Sequence, residues 1–212
     1  MDVIEKSHYK LVISNICHLD WPGIDMVDLV SAAWAYYHFS VQFRENLEIA
    51  VKRHPDDDKL RHLRTEECDT SNLSPWPGVA LIDERMNHDE FMKRALMLAP
   101  IDDDKRTALT AIGESYLKDV RSIDDQSRAM SIASYEDGGL ESVFRSMLTA
   151  PNWHGPVLQA FQHFLSEHIR FDSDPDQGHG ALSRHMAPDD RVLPLWEAFH
   201  TLLVHSVPKL AA

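Results

Sequence analysis

The chain has 212 residues, 43% of them hydrophobic, and a formal net charge of -13. That length and apolar share fit one domain, residues 1–212, with a core of its own, and exclude global disorder. The acidic balance excludes a nucleic-acid footprint and attachment to anionic membranes, both of which need a basic face.

Helical periodicity runs through the chain, while sustained alternating β-branched runs, and any Asn-Gly or Asp-Gly hairpin between such runs, are missing. The start, Met1-Asp-Val-Ile-Glu-Lys, lacks the basic and apolar regions of a signal peptide, and no apolar run approaches the ~20 residues that cross a bilayer. A first helix is expected over 3–19, broken by Trp21-Pro22-Gly23. A long second helix runs over 25–54 and stops at Pro55; a third covers 56–69. The segment Thr70-Ser-Asn-Leu-Ser-Pro-Trp-Pro-Gly78 is too rich in Pro and Ser for a helix, and 70–85 is the one candidate lid. Further helices are expected over 88–98, 102–120, 124–148, 156–171 and 189–206, with 173–187 irregular. Seven to nine helices with short links make an all-α, bundle-like domain. The two cysteines, Cys17 and Cys68, are too few for a disulfide framework, which points to a reducing cytoplasm. No Cys-x-x-Cys, P-loop, Gly-x-Gly-x-x-Gly or His-Glu-x-x-His is present.

A metal ligand in a helical bundle shares a face with apolar residues three, four, seven or eight positions away. Glu67 falls in line with Leu60 and Leu63, whereas Glu66 is half a step off that stripe. His88 lines up with Phe91, Met92, Ala95 and Leu98; Glu136 with Leu140, Val143, Phe144 and Met147; His168 with Phe161, Phe164 and Leu165. Asp172 follows His168 by four residues, and His179 lies within Gly178-His-Gly180. Inward carboxylates are costly unless paired or metal-bound, and mixed carboxylate and imidazole ligation suits iron or manganese. Each residue also has an ordinary explanation. Glu136 could pair with Arg128 or Arg145, Glu66 and Glu67 could sit on a solvated helix end, and Asp172 could cap its segment. Asp174, Asp176 and His179 could line an exposed loop.

Four segments resemble, in this order, the ligand segments of the heme-oxygenase-like diiron oxidases and oxygenases. They are Glu66-Glu67-Cys-Asp69, His88-Asp-Glu-Phe-Met, Tyr135-Glu136-Asp-Gly and His168-Ile-Arg-Phe-Asp172 with Gly178-His179-Gly180. The likeness covers about residues 60–185 and extends weakly to the second helix and the one carrying Trp196. It implies a heme-oxygenase-like bundle, a fold shared with thiaminase II and pyrroloquinoline-quinone synthase. It also implies two irons, with manganese as the alternative, held by Glu67, His88, Glu136, His168, Asp172 and His179. Glu136 would be the bridging carboxylate and the catalytic residue. Two departures stand out. His179 lies seven residues after Asp172 where three or four is usual, so the helix must bulge or unwind to present it. The Glu67 to His88 interval is long, and Glu66 or Glu84 remains an alternative first ligand.

The function so implied is a non-heme diiron oxidoreductase that uses O2 to oxidise a small organic substrate. An outside electron donor and a homodimer are further expectations from the family. Phe91, Phe144, Phe161 and Phe164 would line the apolar pocket. Two other readings stay open: a metal-free binding module on the same fold, and a thiaminase-like hydrolase using Cys68. A heme oxygenase would instead need an N-terminal His such as His18 or His38 as axial ligand.

Overall fold

The computed structural model describes residues 7–172 and 178–211, Asp172 by its backbone alone. The described residues form ten α-helices and no strand. These are α1 (His8–Cys17), α2 (Met26–Arg53), α3 (Asp58–Cys68), α4 (His88–Leu96), α5 (Asp103–Arg121), α6 (Asp125–Glu136), α7 (Gly139–Met147), α8 (Pro156–Asp172), α9 (His179–Ser183) and α10 (Leu193–Ser206). Trp21–Gly23, Arg184–Met186, Asp190–Val192 and Pro208–Ala211 are single 3-10 turns. No helix among the described residues is long and apolar enough to cross a membrane.

The helix starts follow from capping chemistry. Asp25, Asp57, Asp102 and Asp124 each accept two backbone N–H bonds from the first turn of the helix that follows. Asp25 and Asp28 form a reciprocal capping box at the head of α2. With 28 residues, α2 is the axis of the bundle. It packs against α3, α4, α5, α6, α8 and α10, while α1 rests on α7 and α10. The contact of α2 with α5 is very close: a Cβ on Gly113 would fall 2.2 Å from the His38 ring.

Two parts of the core matter for the site. Tyr36 sits among Phe39, Phe144, Phe161 and Phe164 at ring-centre distances of 5.3–5.5 Å, so α2, α7 and α8 share one aromatic cluster. Next to it lies a buried polar layer. Tyr116 donates to Gln42 at 2.6 Å, Arg128 donates to Asn46 at 2.8 Å, and Asn46 donates to Ser131 at 2.9 Å. Such a layer fixes the register of α2 against α5 and α6, because each slip would leave a buried polar group without its partner.

Two expectations need correction. The helix expected over 124–148 is two helices: it breaks at Asp137 and Gly138, where Gly138 has a φ of 86°. Glycine reaches this left-handed conformation at no steric cost, so it ends α6 and starts α7 in a new direction. Glu136 is therefore the last residue of α6 and does not share a helical stripe with Leu140, Val143, Phe144 and Met147, although all are buried. The stretch 173–187 is also not irregular throughout, since His179–Ser183 is helical and a 3-10 turn follows. Residues 173–177 lie outside the described residues.

The loop between α3 and α4 is compact. Thr70 bridges Met86 and Trp76 bridges Ala80 in antiparallel fashion. Its inner side is pinned to α8: His163 Nε2 hydrogen-bonds the Leu73 carbonyl at 3.1 Å, and the Trp76 ring stacks on His163 at 4.4 Å. Its tip, Leu81 and Ile82, points into solvent.

Candidate metal centre

Five of the residues singled out from the sequence meet in the interior. Glu67 is 4% exposed, His88 5%, Glu136 3%, His168 5% and His179 3%. Four of them stand at helix ends: Glu67 in the last turn of α3, His88 first in α4, Glu136 last in α6 and His179 first in α9. Only His168 sits within a helix body. Carboxylates at helix C-termini meet the negative end of the helix dipole, so Glu67 and Glu136 raise the negative potential of the interior and favour a cation between them.

The distances define two groups that could hold a metal ion: Glu67, His88 and His168, and Glu67, Glu136 and His179. In the first, Glu67 Oε2 lies 2.6 Å from His88 Nδ1 and 4.0 Å from His168 Nε2, and the two imidazole nitrogens lie 3.0 Å apart. In the second, His179 Nδ1 lies 3.1 Å from Glu67 Oε1 and 3.2 Å from Glu136 Oε2. Glu67 is the member common to both, one oxygen turned to each. Glu136, expected from the family likeness as the bridging carboxylate, is a member of the second group. A cavity of about 20 Å³ lies at Glu67, His88, Glu136 and His168, walled also by Tyr36, Phe43, Leu140 and Phe164.

The surroundings orient these side chains. His168 Nδ1 hydrogen-bonds the Phe164 carbonyl at 2.8 Å and its ring stacks on Phe164 at 4.1 Å. His88 Nε2 faces Asn72 Oδ1 at 3.0 Å. Gly180 lets α9 approach the end of α6, and Arg184 Nε donates to Asp137 at 2.9 Å, which ties the α9 segment to the same turn. Burial raises the Glu67 carboxyl pKa, but the imidazoles of His88, His179 and His168 outweigh it and bring it down to about 2. Burial, with His88 alongside, lowers His168 to about 3, so its imidazole is neutral at neutral pH, the form that ligates metals.

The donor set fits a transition metal. Two carboxylates and three imidazoles supply hard O and borderline N donors, and Glu67 Oε1 is a buried oxygen that accepts no hydrogen bond among the described residues, with His179 Nδ1 3.1 Å away. Such an oxygen loses hydration without replacement unless a cation sits against it.

The alternatives fall out differently. Glu66 is only half-buried and belongs to neither group. Glu84 is engaged elsewhere, accepting from Arg94 at 2.7 Å and from the Leu81 N–H at 2.8 Å. Arg128 pairs with Asn46 and Glu45, and Arg145 with Glu141, so neither is the partner that would explain Glu136. The side chain of Asp172 lies outside the described residues. Phe164 and Phe144 pack on His168, at 4.1 and 5.9 Å between ring centres; Phe91 and Phe161 stand one layer further out. His18 is exposed, and the ring of the buried His38 lies against Gly113. Burial and the Glu67 charge push the Cys68 thiol up to about 12.

Asn72 was not singled out from the sequence. It sits in a loop with no periodicity to give its direction, and its one sequence signal is a side-chain amide among Ser and Thr just after the Glu67 segment.

Comparison with known protein families, with curated proteins and with solved structures finds no match.

Proposed function

We propose that this protein is a non-heme diiron oxidoreductase that uses O2 to oxidise a small organic substrate, on a heme-oxygenase-like bundle. The observation that carries the reading is the shared carboxylate: two buried groups of Glu and His meet at Glu67, one oxygen directed to each. A buried carboxylate placed between two imidazole-bearing groups is an arrangement that bridges two cations. Manganese has the same ligand preferences and is the alternative occupant.

In this reading His88 and His168 would hold the first ion with Glu67, and Glu136 and His179 would hold the second with Glu67. Asp172 belongs to the set that the family likeness implies. Bound iron supplies the electrons and the open coordination positions for oxygen chemistry. The chain does the rest. The Phe164 and Asn72 contacts orient two imidazoles, and the Tyr36, Phe144 and Phe164 cluster excludes bulk water. The small cavity admits a diatomic molecule more readily than a large one. An outside electron donor, a second copy of the chain and a cytoplasmic setting complete the proposal. The hydrolase reading has little support: a nucleophilic cysteine needs a depressed pKa, and Cys68 is raised.

The test is metal content after anaerobic Fe(II) loading, followed by air and optical spectra. About two irons per chain with a new visible absorption is the expected result. Unchanged metal content in His168→Ala or Glu136→Ala would defeat the reading and leave the metal-free binding module.

A further inference from the structure

The amide of Asn72 stands between two groups that together fix its orientation. Its Nδ2 donates to the Glu66 carbonyl at 3.1 Å, and its Oδ1 faces His88 Nε2 at 3.0 Å. A carbonyl only accepts, so the reverse orientation would set two acceptors against each other. With Oδ1 facing the imidazole, Nε2 of His88 must carry the hydrogen and donate. A neutral imidazole has one N–H, so Nδ1 of His88 is left as a bare lone pair. It points at Glu67 Oε2, 2.6 Å away, and at His168 Nε2, 3.0 Å away. His168 is fixed from its other side, because the Phe164 carbonyl at 2.8 Å requires N–H at Nδ1 and leaves Nε2 bare. In the neutral ring two bare nitrogens and a carboxylate oxygen thus converge, an arrangement relieved by a metal ion or, in its absence, by a proton on Nδ1 of His88 donated to Glu67 Oε2.

We infer that Asn72 is a positioning residue that selects Nδ1 of His88 as the ligating atom, so that the first group binds its metal through Nδ1 of His88 and Nε2 of His168. The selection rests on the diiron reading for its purpose but not for its existence, because the hydrogen bond acts on the metal-free imidazole as well. It also makes the loop between α3 and α4 part of the metal centre: Asn72 reaches the imidazole from the segment whose next residue, Leu73, is held by His163. Hydrogen-bond partners of metal-bound His rings typically change affinity by roughly 10–100-fold when removed.

The experiment uses the full chain labelled with 15N in histidine, at pH 8, metal-free and loaded with redox-inert Zn(II). Two-bond 1H–15N correlation spectra report which nitrogen of each ring carries hydrogen or metal, and His88→Gln assigns the His88 signals by their loss. The expected zinc-loaded spectrum shows His88 protonated at Nε2 and ligated at Nδ1. Asn72→Leu should mix the His88 tautomers in the metal-free protein and weaken Zn(II) binding by roughly 10-fold or more. Asn72→Asp restores an acceptor and should restore both the tautomer and the affinity. Ligation of His88 through Nε2, or an Asn72→Leu protein with unchanged tautomer and affinity, overturns the inference. If the wild-type chain binds no zinc, the metal reading fails by itself. The metal-free spectra then decide the role of Asn72: loss of Nε2–H only in Asn72→Leu supports it, and no change overturns it.

Discussion

Gly180 lies directly against Glu136: a Cβ on Gly180 would stand 3.0 Å from the Glu136 carbonyl oxygen and 3.3 Å from Asp137 Cα. Both obstructing atoms are backbone, at the turn where α6 gives way to α7, so the segment carrying His179 would have to move. Gly180→Ala should leave the helical content intact and weaken metal binding, and Gly180→Val should do so further. Zinc affinity by competition titration, read beside circular dichroism, checks this. Equal affinity in both variants would show that the close approach is incidental to the site.

The sharing of Glu67 gives an asymmetric expectation for stoichiometry. Glu67→Gln keeps the volume of the side chain but removes a ligand from both groups, so it should abolish tight binding of both ions. Glu136→Gln touches one group only and should leave about one ion per chain, with the first group intact. Elemental analysis of the two variants after identical loading decides the matter. A Glu136→Gln protein that loses everything, beside a Glu67→Gln protein that keeps one ion, would assign the bridging role to Glu136.

Cys68 follows Glu67 in α3 and lies beside the cavity, yet its thiol is held protonated by burial and by its acidic neighbours. In the native protein it should react with a thiol reagent at neutral pH far more slowly than a free cysteine, and Cys68→Ala should bind metal as the wild type does. Fast labelling, or loss of an activity that survives chelation, would favour the hydrolase reading.

The cap at the head of α2 makes a prediction about acid. The hydrogen bond from Lys209, with those from the Asp28 and Val27 N–H groups, lowers Asp25 from 3.8 to about 2. A carboxylate with a depressed pKa in the folded state contributes stability that is complete above its unfolded pKa and is lost as pH falls through the folded one. Asp25→Ala should therefore lower the Tm at pH 6, and the difference should shrink between about pH 4 and pH 2. Thermal melts of the pair across that range test it; a constant difference would assign the effect to something other than the charge.

Much of the architecture could be read in the chain because its punctuation is explicit. Asp25, Asp102 and Asp124 open the helices expected over 25–54, 102–120 and 124–148, and each is a hydrogen-bonded cap; the third helix, expected from 56, starts at Asp58 behind the Asp57 cap, and Pro55 follows within two residues of the end of α2. What escaped was a change of direction inside an apparently continuous pattern. Gly138 reads as one weak position in a helix, and only its positive φ shows that the stripe through Glu136 belongs to a different element from Leu140 onward. The inward placing of Glu67, His88 and His168 followed from true helical phase. Glu136 reached the same interior by another route, at the end of its helix. The membership of Glu67 in both groups and of Glu136 in one, and the contact from Asn72, depend on how non-adjacent segments meet, for which residue spacing carries no signal.

Because four of the five inward groups stand at helix ends, an ion placed among them would act as a cross-link between segments as well as a ligand. Glu67 and His179 lie more than half the chain apart and come within 3.1 Å. A clip closing so long a loop removes much of the freedom of the unfolded chain. Loading should therefore be felt in the short helix α9, His179–Ser183, which packs on α3, α6 and α8. Its backbone amides should exchange with solvent quickly in the metal-free chain and slowly once metal is bound. In that sense a bound ion would secure the helical turn that brings His179 to the interior.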